Sequence, residues 1–261
     1  MKYPGAKWNL AEWIISFFPP HTTYLEPFFG SGAIFFNKVP SKVETINDID
    51  DRVVNLFKVL RDMPEKLTIA VELTPWSRTE YRNSYKQTGD PLEDARRFLV
   101  RCGQAFGSTT NSKPGWKNDV RGLPYSNCAK VWTYMPDRIT QIAGRLRGVQ
   151  IENEPATKII DRYNHETVLI YADPPYPLET RSGKLYANEM TNEEHVELLN
   201  VLDDHCGPVI LSGYACDLYD SRLKHWQRET QRAQAEKGKI REEFLWLNPV
   251  AAKQLEGRLF L

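Results

Sequence analysis

Four consecutive residues, Asp173-Pro174-Pro175-Tyr176, could do chemistry together. The aspartate ends an apolar run, Thr167 to Ala172, and the two prolines behind it stiffen the backbone. A fixed carboxylate, a fixed carbonyl at Pro174 and the flat face of Tyr176 answer one chemical problem: methylating an exocyclic amine whose lone pair is delocalised into an aromatic ring. Asp173 and the Pro174 carbonyl can each hold one amine hydrogen and so favour a pyramidal nitrogen facing a methyl donor. Tyr176 would stack on a base turned out of its duplex. A proline-rich strand end with a capping aspartate would carry the same four letters, so the motif needs company.

That company is Glu26-Pro27-Phe28-Phe29-Gly30-Ser31-Gly32. A strand predicted over Thr22 to Phe28 runs into Gly-x-Gly, a turn that lets backbone approach a ligand closely and aims a following helix at it. The third spaced glycine of the dinucleotide fingerprint is missing, and a plain tight turn would read alike. Asp48 strengthens the ligand reading: it lies 18 residues beyond Gly30, at the end of a second predicted strand, where a carboxylate can accept ribose hydroxyls. The pair suggests an adenosine-containing ligand. No Gly-x-x-x-x-Gly-Lys-[Ser/Thr] is present, which argues against triphosphate chemistry, and no Pro-Cys-Gln, which disfavours a cysteine nucleophile.

The elements that must carry these motifs follow from periodicity. Strands are expected over 22–28, 43–49, 148–152, 167–172, 208–211 and 241–247, and helices over 33–38, from Val53 to Leu60, over 92–101 and over 156–163. Thr191-x-x-Glu194 is a capping box opening a further helix through Leu202. Alternating strands and helices predict a mostly parallel α/β sheet, interrupted between residues 76 and 147 by a polar, Gly- and Pro-punctuated, mainly helical insert on its carboxyl edge.

Charge singles out the same insert. The 261 residues hold 34 Lys plus Arg and 34 Asp plus Glu, a net charge of zero. Residues 76–150 nevertheless carry 13 basic and 6 acidic side chains, a net of +7, against −1 before them and −6 after. Aromatics interleave there (Trp76, Tyr81, Tyr85, Phe98, Phe106, Trp116, Tyr125, Trp132, Tyr134), as surface stacking groups for a polyanion or as core. The four cysteines form no Cys-x-x-Cys pair and no metal site is expected. With no run near ~20 apolar residues and no signal peptide, a soluble, cytoplasmic monomer is predicted, with no membrane partner.

Taken in order, Lys2-Tyr3-Pro4-Gly5-Ala6-Lys7, Glu26 to Ala33, Asn47-Asp48-Ile49-Asp50 and Asp173 to Tyr176 resemble the Dam-type (D12 class, α group) DNA adenine-N6 methyltransferases. The resemblance covers about two thirds of the chain. It implies a Rossmann-like methyltransferase sheet, S-adenosyl-L-methionine as donor, double-stranded DNA as partner and N6-methyladenine as product. It also implies a catalytic domain of residues 1–75 and 148–261 around a target-recognition domain at 76–147. By motif, Tyr3, Pro4, Gly5 and Lys7 would meet the cofactor from the N-terminal segment. Phe28 to Gly32, with Gly30 and Ser31 among them, would meet its methionine part and Asp48 its ribose, and Glu26, Pro27 and Ile49 also count among the cofactor-binding residues. Asp173 would face both cofactor and target amine, with Pro174, Pro175 and Tyr176 completing the catalytic set.

Arg96, Arg97, Arg101, Lys113, Lys117 and Arg121 in the insert are candidates for phosphate or guanine contacts. Arg181 and Lys184 in the loop after Tyr176 are candidates for closing over a flipped adenine. A second basic cluster runs from Arg222 to Arg241, including Lys224, Arg228, Arg232, Lys237 and Lys239, and either grips backbone or forms a solvated, flexible connector. Two rivals share these motifs: an RNA adenine or guanine amino-methyltransferase, and a DNA-binding protein of the same fold without catalysis.

Overall fold

The computed structural model describes residues 3–107, 109–120, 127–181, 183–234 and 240–257. Lys2 of the N-terminal motif, Arg121, Tyr125, Lys237 and Lys239 lie outside the described residues. The chain falls into two compact units. A sheet unit takes Gly5–Ile49, Glu152–Lys184 and Asn188–Leu261, and a helical unit takes Met1–Pro4, Asp50–Ile151 and Leu185–Ala187.

Among the described residues, seven strands form one sheet: β1 (Thr23–Glu26), β2 (Val43–Asn47), β3 (Gln150–Glu152), β4 (Val168–Ala172), β5 (Val209–Gly213), β6 (Gln227–Gln234) and β7 (Ile240–Leu247). Their order is β3-β2-β1-β4-β5-β7-β6. Pairs β1–β2, β1–β4 and β4–β5 are parallel, while β7 runs antiparallel to both β5 and β6. All five residues of β4 are buried, as are all five of β5. Such fully buried strands belong to a sheet covered on both faces. Leu25, Ile170, Leu198, Leu202, Leu211 and Trp246 lie in one core cluster, to which α8 (Ala156–Arg162) and α9 (Asn192–Asp203) contribute. The capping box forms as expected: the Glu194 amide donates to Thr191 Oγ1 at 3.2 Å, and the Thr191 amide to Glu194 Oε2 at 2.7 Å.

Strand order turns back between β1 and β4, neighbours in space although separated in sequence by β2 and β3. Open α/β sheets bind ligands in the crevice outside the carboxyl ends of strands at such a point. Glu26 ends β1 and Asp173 follows β4, so both expected motifs flank it.

One expected element is absent: residues 33–38 are turns, not a helix. Phe36 N–H donates to the Gly32 carbonyl and Lys38 N–H to that of Ile34, but the Asn37 amide takes the Ile34 carbonyl and its side chain takes Ala33 O. The rings of Phe29, Phe35 and Phe36 pack within 5.1 to 6.0 Å of one another, and this cluster, rather than a regular helix, sets the backbone path.

In the helical unit, α2 (Asp51–Asp62) packs against α5 (Pro91–Gln104) and α7 (Met135–Arg145), and α3 (Pro64–Glu72) against the same two. The expected insert lies within this unit, which also takes in α2 and α3. Asp50 and Asp90 cap α2 and α5, and Pro91 occupies the first turn of α5, where its missing N–H costs nothing. Tyr81, Phe98 and Trp132 are buried, so these rings are core. Trp132 donates to the Thr74 carbonyl at 2.9 Å and lies so close to Gly103 that a Cβ there would sit 2.7 Å from the ring. Phe106 and Tyr134 are exposed. Among the described residues, no helix is long and apolar enough to cross a membrane.

Candidate active site

The glycine turn is held by the end of β2. Gly30 and Gly32 adopt φ of 48° and 67°, a region that favours glycine. At Gly32 a Cβ would also meet the Phe29 and Phe36 rings at 2.5 and 2.6 Å. The Gly30 amide donates to Asp48 Oδ2 at 2.8 Å, and the Phe29 amide to the Asn47 carbonyl at 2.9 Å. Asn47 acts as a clasp: its Nδ2 donates to the carbonyls of Pro27 and Glu154, and its Oδ1 accepts the Glu154 amide. The turn, the β2 end and the segment after β3 are thereby tied through one buried amide. Asp48 is partly exposed, Ile49 beside it is 48% exposed, and Ser31 is buried.

At the end of β4, the Asp173 carboxylate lies 3.1 Å from the Lys7 ammonium. Lys7 Nζ also donates to the Gly5 carbonyl at 2.9 Å, lies 3.6 Å from Glu243 Oε1, and sits 4.7 Å from the centre of the Tyr176 ring. Glu243 Oε1 accepts Ser212 Oγ–H at 2.9 Å and the Tyr176 hydroxyl in a short hydrogen bond. The Tyr176 ring meets Tyr214 edge-on at 4.7 Å. Burial pushes the Asp173 carboxyl up to about 6; Lys7 opposes that shift and Glu243 adds to it. Burial likewise holds the Tyr176 hydroxyl well above its ordinary range.

Glu26, at the end of β1, is 2% exposed and accepts the Tyr24 hydroxyl at 2.7 Å. Burial raises its carboxyl to about 8, with the Asp173 charge adding to the rise while Tyr24 and Lys38 oppose it. At neutral pH Glu26 is therefore largely protonated and Asp173 largely ionised. Two carboxyls at adjacent strand ends thus hold different protonation states.

Of the residues expected to form the site, Lys7, Glu26 to Gly32, Asp48, Ile49 and Asp173 to Tyr176 all fall in the sheet unit. Tyr3 and Pro4 group with the helical unit, where the buried Tyr3 ring lies 6.4 Å from Tyr186. Sequence reading missed Glu243 and Ser212. A trace of Glu243 existed, because it falls in register with Leu245 and Leu247 on β7, a charge where the alternation calls for an apolar side chain.

The basic candidates divide. Arg96 donates to Glu93 through Nε and Nη2 and to Glu80 and Thr74 through Nη1, and Arg97 donates to Glu93 and to the carbonyls of Asn83 and Lys86. Burial within these bonds makes both part of the helical unit's own framework. Arg101 and Lys113 lie 4.4 and 4.8 Å from the Tyr85 ring, and Lys117 is partly exposed. Arg181 donates to the Tyr176 carbonyl at 2.7 Å and pairs with Glu189, which braces the loop behind the motif. Lys184 is exposed.

Residues 3–237 match the D12 class N6 adenine-specific DNA methyltransferase family. A DNA N-6-adenine-methyltransferase of Escherichia phage P1 is 25% identical over 214 residues, 78% of this chain and 28% of that protein. The type II methyltransferase M1.LlaDCHI of Lactococcus lactis subsp. cremoris is 36% identical over 67 residues, 25% of this chain and 23% of that protein. The DNA adenine methylase of Escherichia coli K12 is 21% identical over 231 residues, 82% of this chain and 80% of the relative. The chain therefore spans under a third of the phage and Lactococcus relatives' own length.

Proposed function

This chain belongs to the D12 class of N6 adenine-specific DNA methyltransferases, and on that premise we propose that it transfers a methyl group from S-adenosyl-L-methionine to the N6 amine of an adenine flipped out of duplex DNA. The observation that carries this reading is the buried cluster at the end of β4, in which Asp173 and Glu243 share the single ammonium of Lys7.

The donor set suits a cationic ligand. Two carboxylates against one ammonium leave negative charge at the carboxyl edge of the sheet, which favours a sulfonium. Asp48 and the half-exposed Ile49 beside it offer a carboxylate for ribose hydroxyls and an apolar face for a purine. Lys7, Phe28 to Gly32, Asp48 and Asp173 would hold the cofactor. When bound, S-adenosyl-L-methionine supplies an electrophilic methyl group on a good leaving group.

The chain's own residues do the rest. Asp173, ionised at neutral pH, accepts one hydrogen of the target amine, and the Pro174 carbonyl accepts the other. Both acceptors are fixed in advance, so they cost no reorganisation as the nitrogen pyramidalises. The methylated amine is acidic enough to lose its extra proton without a strong base, so Asp173 orients more than it deprotonates. Pro175 stiffens the loop, and Tyr176, its hydroxyl held by Glu243, presents its ring to the base.

In this reading the helical unit recognises the DNA target, with Arg101, Lys113, Lys117 and Arg121 meeting phosphates or bases, while Arg96 and Arg97 brace α5 and Arg181 braces the catalytic loop. Alanine at both Lys113 and Lys117 is expected to lower the salt slope of DNA binding by about one to two. The deciding experiment is incubation with a mixed-sequence plasmid and the cofactor, followed by sequencing that detects N6-methyladenine. Modification at one recurring motif supports the reading; labelled methyl entering RNA and not DNA overturns it.

A further inference from the structure

Glu243 has no part in the four-residue motif, yet the motif's own Tyr176 and two neighbours of the site, Lys7 and Ser212, converge on its carboxylate. It is 4% exposed and reaches the site from β7, the antiparallel strand beside β5. Its Oε1 accepts Ser212 from β5 at 2.9 Å and Tyr176 from the loop after β4, and lies 3.6 Å from Lys7 of the N-terminal segment. Lys7 in turn is 3.1 Å from Asp173. A buried carboxylate that is costly to desolvate is retained here against Lys7, Ser212 and Tyr176 of the site.

We propose that Glu243 is a positioning residue for the methyl-transfer site: by holding the Tyr176 hydroxyl and dividing the Lys7 ammonium between itself and Asp173, it fixes the ring and the Asp173 carboxylate relative to each other. The inference rests on the functional reading above. Without Glu243, Lys7 is free to turn fully onto Asp173 and compete with the amine hydrogen that Asp173 must accept. Tyr176 loses the anchor that orients its ring.

The charge balance gives a readout that a purely architectural role would not move. Asp173 is faced by Lys7, by Glu243 on β7, by Glu26 on β1, and by the hydroxyls of Tyr171, Tyr176 and Tyr219. Of these, Lys7 lowers and Glu243 raises its carboxyl pKa. Glu243→Gln keeps an oxygen that can accept from Ser212 and Tyr176 but removes the charge. The Asp173 pKa must then fall from about 6.

The test is a carbon-13 carboxyl titration of Asp173 in the full chain, assigned with Asp173→Asn, in the wild type, Glu243→Gln and Glu243→Asp, alongside kcat against pH on methyl-acceptor DNA. In Glu243→Gln the Asp173 midpoint should drop by about one pH unit, kcat at pH 7.5 should fall on the order of tenfold, and the cofactor KM should change less than about threefold. Glu243→Asp should recover the midpoint and part of kcat. An unmoved midpoint, or kcat within about twofold of wild type, overturns the proposal. If the wild type methylates no DNA, the functional reading fails, and the titration still decides whether Glu243 governs Asp173.

Discussion

Lys38 and Lys7 are both buried ammonium groups set over tyrosine rings, Lys38 4.3 Å from the centre of Tyr24 and Lys7 4.7 Å from that of Tyr176. Their acceptors differ. Lys38 meets Glu44 Oε1 at 2.5 Å, Ser41 Oγ at 2.9 Å and the Val39 carbonyl at 2.9 Å, all within six residues of itself. These three acceptors, one of them a carboxylate, come from a single turn-and-strand segment. Lys7 meets two carboxylates drawn from distant strands, at 3.1 and 3.6 Å. A cation–tyrosine contact is common to both and so says nothing about role. The origin of the carboxylates separates them: that of Lys38 comes from its own segment, as in a support of the fold, whereas the two at Lys7 come from distant elements and frame the proposed site.

The contrast can be broken at either end. The largest effect is expected for Lys38→Met, which strands the buried Glu44 carboxylate and should cost about 3–5 kcal/mol of stability in urea unfolding. Turnover per folded molecule should persist, and a collapse of kcat with little loss of stability would erase the distinction. Asp173→Ala should do the reverse, lowering kcat by about 10²-fold or more with the melting temperature held within a few degrees; turnover within tenfold of wild type would remove Asp173 from the mechanism. Lys7→Met removes the group that lowers the Asp173 pKa, so that value rises above about 6. The carboxylate then protonates sooner as pH falls, and the acidic limb of kcat should move to higher pH; a limb that stays put, or moves down, contradicts the assigned charge sharing.

The remaining test concerns Glu26, which the charges of both clusters reach. Its folded carboxyl titrates at about 8 against an unperturbed 4.5. The folded state thus holds a proton that the unfolded state has released, and stability declines as pH rises from 4.5 through 8. Glu26→Gln should gain stability relative to wild type across that window, by roughly 4 kcal/mol at pH 8, and none at pH 4. An equal gain at both pH values would mean that Glu26 is not protonated in the folded protein.

Where local rules governed, the sequence was readable. Five apolar residues in β4 announced a strand covered on both faces, and Thr191 with Glu194 marked a helix start that the hydrogen bonds reproduce. Residues 33–38 misled because their apolar run serves an aromatic cluster with Phe29 behind a left-handed Gly32, and tertiary packing overrode helical spacing. Arg96 and Arg97 stand three and four residues after Glu93, a spacing that already offered a partner on the same helix face. The motif carrying Asp173 was visible because its four groups are contiguous. Glu243 was not, because its meaning lies in contacts with Lys7, Tyr176 and Ser212, none of them near it in sequence.

The antiparallel placement of β7 between β5 and β6 has a bearing on how the protein is made. Lys7 and Asp173 leave the ribosome long before Glu243, so a nascent chain arrested anywhere before β7 carries the recognisable motif without the carboxylate that Lys7 shares. Domains assemble as the chain emerges, and pairing of elements distant in sequence comes late. If Glu243 positions the site as proposed, competence comes at a late step of synthesis, when β7 pairs with β5, and partial translation products should be silent toward DNA.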